Sequence, residues 1–225
     1  MIVVIDKDEL IELINKKIKE QDFKIVVRDK GELKKLIVQR TEEPKPKIVV
    51  RDKGELKRLI AHRIKEQGPD CDLNDIDVSH ITDMSYMFAD STFNGDISQW
   101  DVSNVTNMDS MFWSSVFDGD ISRWDVSNVE NMRSMFWGSK FNSDISKWDV
   151  SNVKNMDCMF RRSKFNGDLS RWDVSNVVDM DCMFYDSTFY GGISEWNVSR
   201  AKNMGYMFCG SPLEGREPEW YEVNL

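Results

Sequence analysis

The side chains that could do chemistry fall into columns, each member 24 positions after the last. Asp101, Asp125, Asp149 and Asp173, followed by Asn197, form one column. Asp96, Asp120, Asp144 and Asp168 form another. Rows of carboxylates could bind cations or imitate the phosphates of a nucleic acid. Alternatively, each Asp accepts bonds from backbone or hydroxyl groups of its own repeat, which relieves repulsion between neighbours. The second column follows Gly or Ser, where turn chemistry is the first expectation. The dense glycine pattern of calcium-binding β-rolls is missing.

Two variable columns are more telling, because packing does not dictate them. Gln99, Arg123, Lys147, Arg171 and Glu195 each precede a Trp and, with Asp101, Asp125, Asp149 and Asp173, would line one face with paired opposite charges. Ala89, Trp113, Trp137, Arg161, Tyr185 and Cys209 each follow a Met-Phe pair. Trp, Arg and Tyr are favoured at binding hot spots. If exposed, Trp113, Trp137, Arg161 and Tyr185 form a stripe large enough to mean recognition; otherwise they are ordinary half-buried cover.

Catalysis finds little support. His62 and His80 lack a nucleophile pattern beside them, and neither a phosphate-cradling loop motif nor HExxH occurs. Cys71, Cys158, Cys182 and Cys209 include no CxxC pair, which argues against structural zinc. Cys158 and Cys182 share a column, either as two thiols in equivalent semi-buried slots or as a disulfide or redox pair. We expect no catalytic residue, no metal site and no cofactor.

Charge divides unevenly along the 225 residues. Residues 1–70 carry 18 Lys+Arg against 14 Asp+Glu, and residues 71–225 carry 12 against 25, a net of −13. Such acidity disfavours direct binding to nucleic acid or anionic lipid. No apolar run reaches the roughly 18–20 residues of a membrane span. Acidic residues follow from Asp6, after only five apolar ones, so no signal-peptide core is read, and the expected location is the cytoplasm. A cell-surface location would need a leader outside this sequence.

The columns exist because the chain repeats. Val78, Val102, Val126, Val150, Val174 and Val198 are 24 apart, as are Met87, Met111, Met135, Met159, Met183 and Met207. The consensus is W-D-V-S-N-V-x-N-M-x-x-M-F-x-x-S-x-F-N-G-D-I-S-x. Trp100 and Val102 share one side of an expected strand, with Gln99, Asp101 and Ser103 on the other. Val105, Met108, Met111 and Phe112 follow in a one-sided stripe that predicts a short helix, capped by Ser103 or Asn104. One such unit cannot bury its apolar side, but stacked units bury it against each other. The predicted fold class is an α/β repeat, a leucine-rich-repeat-like strand–helix solenoid with parallel strands.

A second repeat precedes it. "IVVIDKDEL" begins at Ile2, and "IVVRDKGEL" begins at Ile25 and again at Ile48, at equal intervals. Each reads as a β-branched strand and a helix opened by D-x-x-E, such as Asp29 with Glu32. Residues 1–70 are therefore an N-terminal cap or the first coils of one continuous stack, with an independent helical domain as the alternative. Residues 71–211 form the solenoid, and residues 212–225 a C-terminal cap in which Trp220 and Tyr221 fold over the last unit.

The columns W-D-V-S-N-V-x-N-M-x-x-M-F and F-N-G-D-I-S, over residues 73–211, resemble the BspA-type leucine-rich-repeat family of bacterial surface proteins, which includes mycoplasma lipoproteins. The resemblance implies a curved solenoid that binds other proteins, commonly as an exported adhesin or surface antigen, and it supplies no catalytic residues. The leading expectation is a non-enzymatic protein–protein interaction module. Its partner-binding candidates are Trp113, Trp137, Arg161, Tyr185, Arg123, Lys147, Arg171, Asp101, Asp125, Asp149 and Asp173. The alternatives are an acidic decoy that mimics nucleic acid or inhibits a basic partner, a surface adhesin, and a structural protein that self-associates end to end.

Overall fold

The structure, a computed structural model, describes residues 47–223. The copies beginning at Ile2 and Ile25, with Asp29 and Glu32, lie outside the described residues. One compact unit begins at Lys47, so the third copy belongs to the same body as the later repeats. Its strand β1 (Ile48–Val49) pairs in parallel with β2 (Ile76–Asp77), Ile48 opposite Ile76.

Between them runs α1 (Lys53–Gln67). Its N-terminus follows from D-x-x-E. The Asp52 carboxylate accepts the Glu55 amide at 2.8 Å, and the Glu55 carboxylate accepts the Arg51 amide at 2.7 Å. Gly68 ends the helix at φ 92°, a left-handed conformation that costs glycine nothing, and returns its amide to Ile64. Leu56 and Ile60 are buried. Arg63–Asp75 at 2.5 Å and Lys53–Asp83 at 2.9 Å tie the helix to the first repeat unit.

From Cys71 onward the expected helix of each unit is absent; turns replace it. In the unit that opens at Trp100, the amides of Met111, Trp113 and Ser115 close successive turns on the carbonyls of Met108, Ser110 and Phe112. The intervening amides of Met108, Ser110, Phe112 and Ser114 donate sideways to Asn131, Arg133, Met135 and Trp137 of the next unit, at 2.7–2.9 Å. A helix would have spent all these amides within its own unit. The turns need left-handed backbone at two columns, that of Tyr86, Ser110, Ser134, Cys158, Cys182 and Tyr206, and that of Asp90, Ser114, Gly138, Arg162, Asp186 and Gly210. Each non-glycine residue there costs about 1–2 kcal/mol of strain. Parallel bridges join Asp83, Asn107, Asn131, Asn155, Asp179 and Asn203, each one repeat period from the next.

Beyond β2, from the unit that opens at Trp100, the side expected as a strand is likewise not one. Trp100 closes a turn on Ile97, and side chains replace the ladder there. Trp124 Nε1 donates to the Ile97 carbonyl at 3.1 Å, and Trp148 Nε1 to that of Ile121 at 3.1 Å. Asn128 Nδ2 donates to Ser103 of the preceding unit at 2.7 Å, so Asn104 and Asn128 link units rather than cap helices. Inside, Phe88, Phe112, Phe136, Phe160, Phe184 and Phe208 stack with centroids 5.5–5.9 Å apart. Burying rows of phenylalanine, methionine, valine and tryptophan contributes roughly 1.5–3 kcal/mol per side chain, which no unit could retain alone.

The C-terminal end keeps the register. Trp220, in α2 (Glu219–Val223), continues the tryptophan column one repeat period after Trp196. It stacks on that ring at 6.2 Å and donates to Ile193 at 2.9 Å. Tyr221 meets Phe208 edge-on at 5.0 Å.

Candidate functional site

The turn ladder decides which side chains face outward together. Within 108–115, Met108, Met111 and Phe112 point into the core, leaving Asp109, Trp113 and Ser114 partly or fully exposed. Every unit repeats this, so four neighbouring units present Trp113, Trp137, Arg161 and Tyr185 in line, each half-buried. They touch in succession. The Trp113 and Trp137 rings meet edge to face at 5.8 Å. The Arg161 guanidinium lies 5.3 Å from the Trp137 centroid and 4.6 Å from that of Tyr185. Such cation–π contacts hold an arginine by about 0.5–2 kcal/mol each. Arg161 Nε, buried, has no hydrogen-bond partner among the described residues. The same holds for Ser134 Oγ, in the neighbouring column one unit earlier.

A charged column runs beside the stripe, one that sequence reasoning did not single out. Arg133 lies between two units' carboxylates, with Nη1 3.5 Å from Asp109 and Nε 3.2 Å from Asp157. Across units Lys154 meets Glu130 at 2.7 Å and Arg162 meets Asp186 at 3.3 Å. The signal was available, since Asp109, Arg133 and Asp157 are successive members of one column.

The carboxylate columns on the other edge turn inward on themselves. Asp101 accepts the amide of Ser103 at 3.1 Å and its hydroxyl at 2.6 Å, and Asp125 treats Ser127 identically. Asp149 and Asp173 accept the amides of Ser151 and Ser175 at 3.0 Å. Asp120, Asp144 and Asp168 accept from Ser122, Ser146 and Ser170 at 2.9 Å. These bonds hold the Asp120, Asp144 and Asp168 carboxyls below the usual carboxylate range, through the serine amide first and the hydroxyl second. For Asp125 and Asp173 the hydroxyl leads.

Arg123, Lys147 and Arg171 are exposed, as are Asp101, Asp125, Asp149 and Asp173. The expected pairing between these two columns is not seen. The neighbouring acids that feel the three cations are Asp120, Asp144 and Asp168, and no ion pair within 4.0 Å joins any of them among the described residues.

The four cysteines are free thiols. Burial first, then the neighbouring Asp157, pushes the Cys158 thiol up to about 12; burial and Asp181 raise Cys182 to about 11. Cys182 Sγ donates to Asp181 at 3.3 Å. Groups so firmly protonated are poor nucleophiles at neutral pH. Among the described residues, no cluster of His, Cys, Asp and Glu could hold a metal ion, and no helix is long and apolar enough to cross a membrane.

A family model described as "Mycoplasma protein of unknown function, DUF285" matches the chain twice, over residues 61–140 and 114–217. No curated protein and no solved structure shows significant similarity. The two matches together span more than half of the chain and cover its repeat units, and the protein belongs to the DUF285 family.

Proposed function

We propose that the repeat region is a rigid, leucine-rich-repeat-like solenoid of the BspA type, and that it acts as a non-enzymatic protein–protein interaction module. The observation that carries this reading is the continuous line of Trp113, Trp137, Arg161 and Tyr185. Packing does not require those residues, because Ala89 and Cys209 occupy the same column in other units. Half-buried aromatic and arginine side chains held by one another on a stiff backbone lose little freedom on binding, which is where binding energy concentrates. Repetition supplies area, and substitution along the variable column supplies specificity. The exposed row of Arg123, Lys147 and Arg171 adds charge steering on the far edge.

The net charge of −13 over residues 71–225 favours a second reading, an acidic decoy that covers a basic protein. One experiment separates the two. The purified protein captures partners from a lysate of its source organism at low and at high salt, beside a variant with Trp137, Arg161 and Tyr185 all changed to Ala. A protein held at high salt and lost with the variant supports the interaction face. Retention by a variant that melts normally overturns that face. Basic proteins bound equally by both, at low salt only, support the decoy.

A further inference from the structure

We propose that the stripe and the cleft beside it receive an extended, arginine-bearing segment of a partner protein, with the arginine seated at Gly205. This rests on the interaction reading above and gives the partner its chemistry.

The column next to the stripe runs Ser85, Asp109, Arg133, Asp157, Asp181, Gly205. Early in it, Arg133 satisfies the carboxylates on either side. Later the alternation fails, because Asp181 follows Asp157 directly and glycine comes next. The result is an open cleft of about 550 Å³ lined by Asp157, Asp179, Asp181, Lys202 and Gly205, in which carboxylates outnumber the one cation. A Cβ at Gly205 would lie 2.7 Å from Asp181 Oδ1, so the Asp181 carboxylate leans into the place a side chain would take and borders the cleft directly over Gly205.

The Asp181 carboxylate is weakly engaged, accepting only the Cys182 thiol among hydrogen bonds to described residues, while the Asp181 carbonyl accepts the Cys158 amide. Asp179 accepts the Asp181 amide and Asn203 Nδ2. Neither forms an ion pair among the described residues. The chain therefore contains a pattern for its own ligand: Arg133 against Asp157 at 3.2 Å is the contact an incoming guanidinium would make with Asp181.

Tyr206 follows Gly205 and is 71% exposed, a ring on which a guanidinium can stack as Arg161 does on Tyr185. Asp181 and Tyr185 belong to one unit, so a segment anchored at the cleft runs directly onto Tyr185, Trp137 and Trp113. Arginine fits better than lysine, because its planar fork reaches one carboxylate with two donors. The net charge of −13 across residues 71–225 draws a basic segment toward this face.

The test is fluorescence anisotropy of the full chain with a short labelled peptide of proline, alanine and leucine carrying arginine, beside versions with glutamine or glutamate instead. The arginine peptide should bind about tenfold tighter or better, as expected for a charge-assisted pair. Asp181→Asn should abolish that preference. So should Gly205→Arg, which supplies a guanidinium from within; its Cβ makes the flexible Asp181 carboxylate swing aside, and since Gly205 lacks a left-handed φ the backbone conformation suits it.

Equal binding of glutamine or glutamate peptides, lost in the Trp137/Arg161/Tyr185 triple variant, would overturn the basic partner and leave the face standing. Arginine-peptide binding undiminished in both Asp181→Asn and Gly205→Arg, or no peptide binding at all, overturns the seat. Binding undiminished in the triple variant removes the interaction reading and this proposal together.

Discussion

The two edges of each unit treat repetition differently. On the edge of Asp101, Asp125, Asp149 and Asp173, one residue type recurs and each copy bonds the serine two residues ahead. On the edge of Trp113, Trp137, Arg161 and Tyr185 the residue changes from unit to unit, and each side chain touches its neighbour. Where every copy performs the same local bond, only a side chain that can accept it serves, as Asn197 does for the Ser199 amide, so the type persists. Where the backbone is already held by the inter-unit ladder, the side chain is free to vary. Sameness along a column therefore marks structural duty, and variation marks positions whose side chains the fold does not prescribe.

The most damaging change lies beneath both edges. Phe136→Ala removes a ring stacked on Phe112, Phe141 and Phe160, and should cost about 3–5 kcal/mol by chemical denaturation. If it cost less than a surface change, the stack would not be what holds either edge.

Next comes Trp137→Ala. It should weaken the captured partner's binding at least about tenfold, or about 1.4 kcal/mol, while the melt moves little. Asp125→Ala is the converse. It should cost about 1 kcal/mol of stability through the lost Ser127 bonds and leave binding intact. An exchange of these outcomes would invert the comparison.

Acid discriminates between the edges more gently. The Asp120, Asp125, Asp144, Asp168 and Asp173 carboxyls titrate below their unfolded value near 4, so their contribution is fully present above that value. It is lost as pH falls through the lower folded values. Stability should be flat from pH 7 to about 5 and decline below about 4, as a pH series of melts would record. Smallest of all, Ser114→Gly relieves left-handed strain at φ 54° while freeing the unfolded chain, for a net gain below about 1 kcal/mol in a matched melt.

Much of this was legible in the residues. The repeat period identified the buried columns one by one, since Trp100, Val105, Met108, Met111, Phe112 and Phe117 are all buried. It also placed Trp113 beside Trp137 and Arg161 beside Tyr185. The same spacing marked Trp220 as a further member of the tryptophan column, a signal that its position past Ser211-Pro212 obscured. What misled was the stripe Val105, Met108, Met111, Phe112. Burial every third or fourth residue is shared by an α-helix and by linked turns, and no periodicity distinguishes them.

The sequence by itself determined the repeat, the identity of the core columns, the acidic balance of residues 71–225 and the capped start of α1, because each depends on residue type and spacing along one chain. Only the tertiary structure decided that turn amides such as those of Ser110 and Phe112 leave their own unit to bond the next. It alone placed Arg133 between Asp109 and Asp157, and opened a cleft where Gly205 follows Asp181. Those relations join units side by side, and the direction in which an amide or a carboxylate points is settled only when its neighbour is in place.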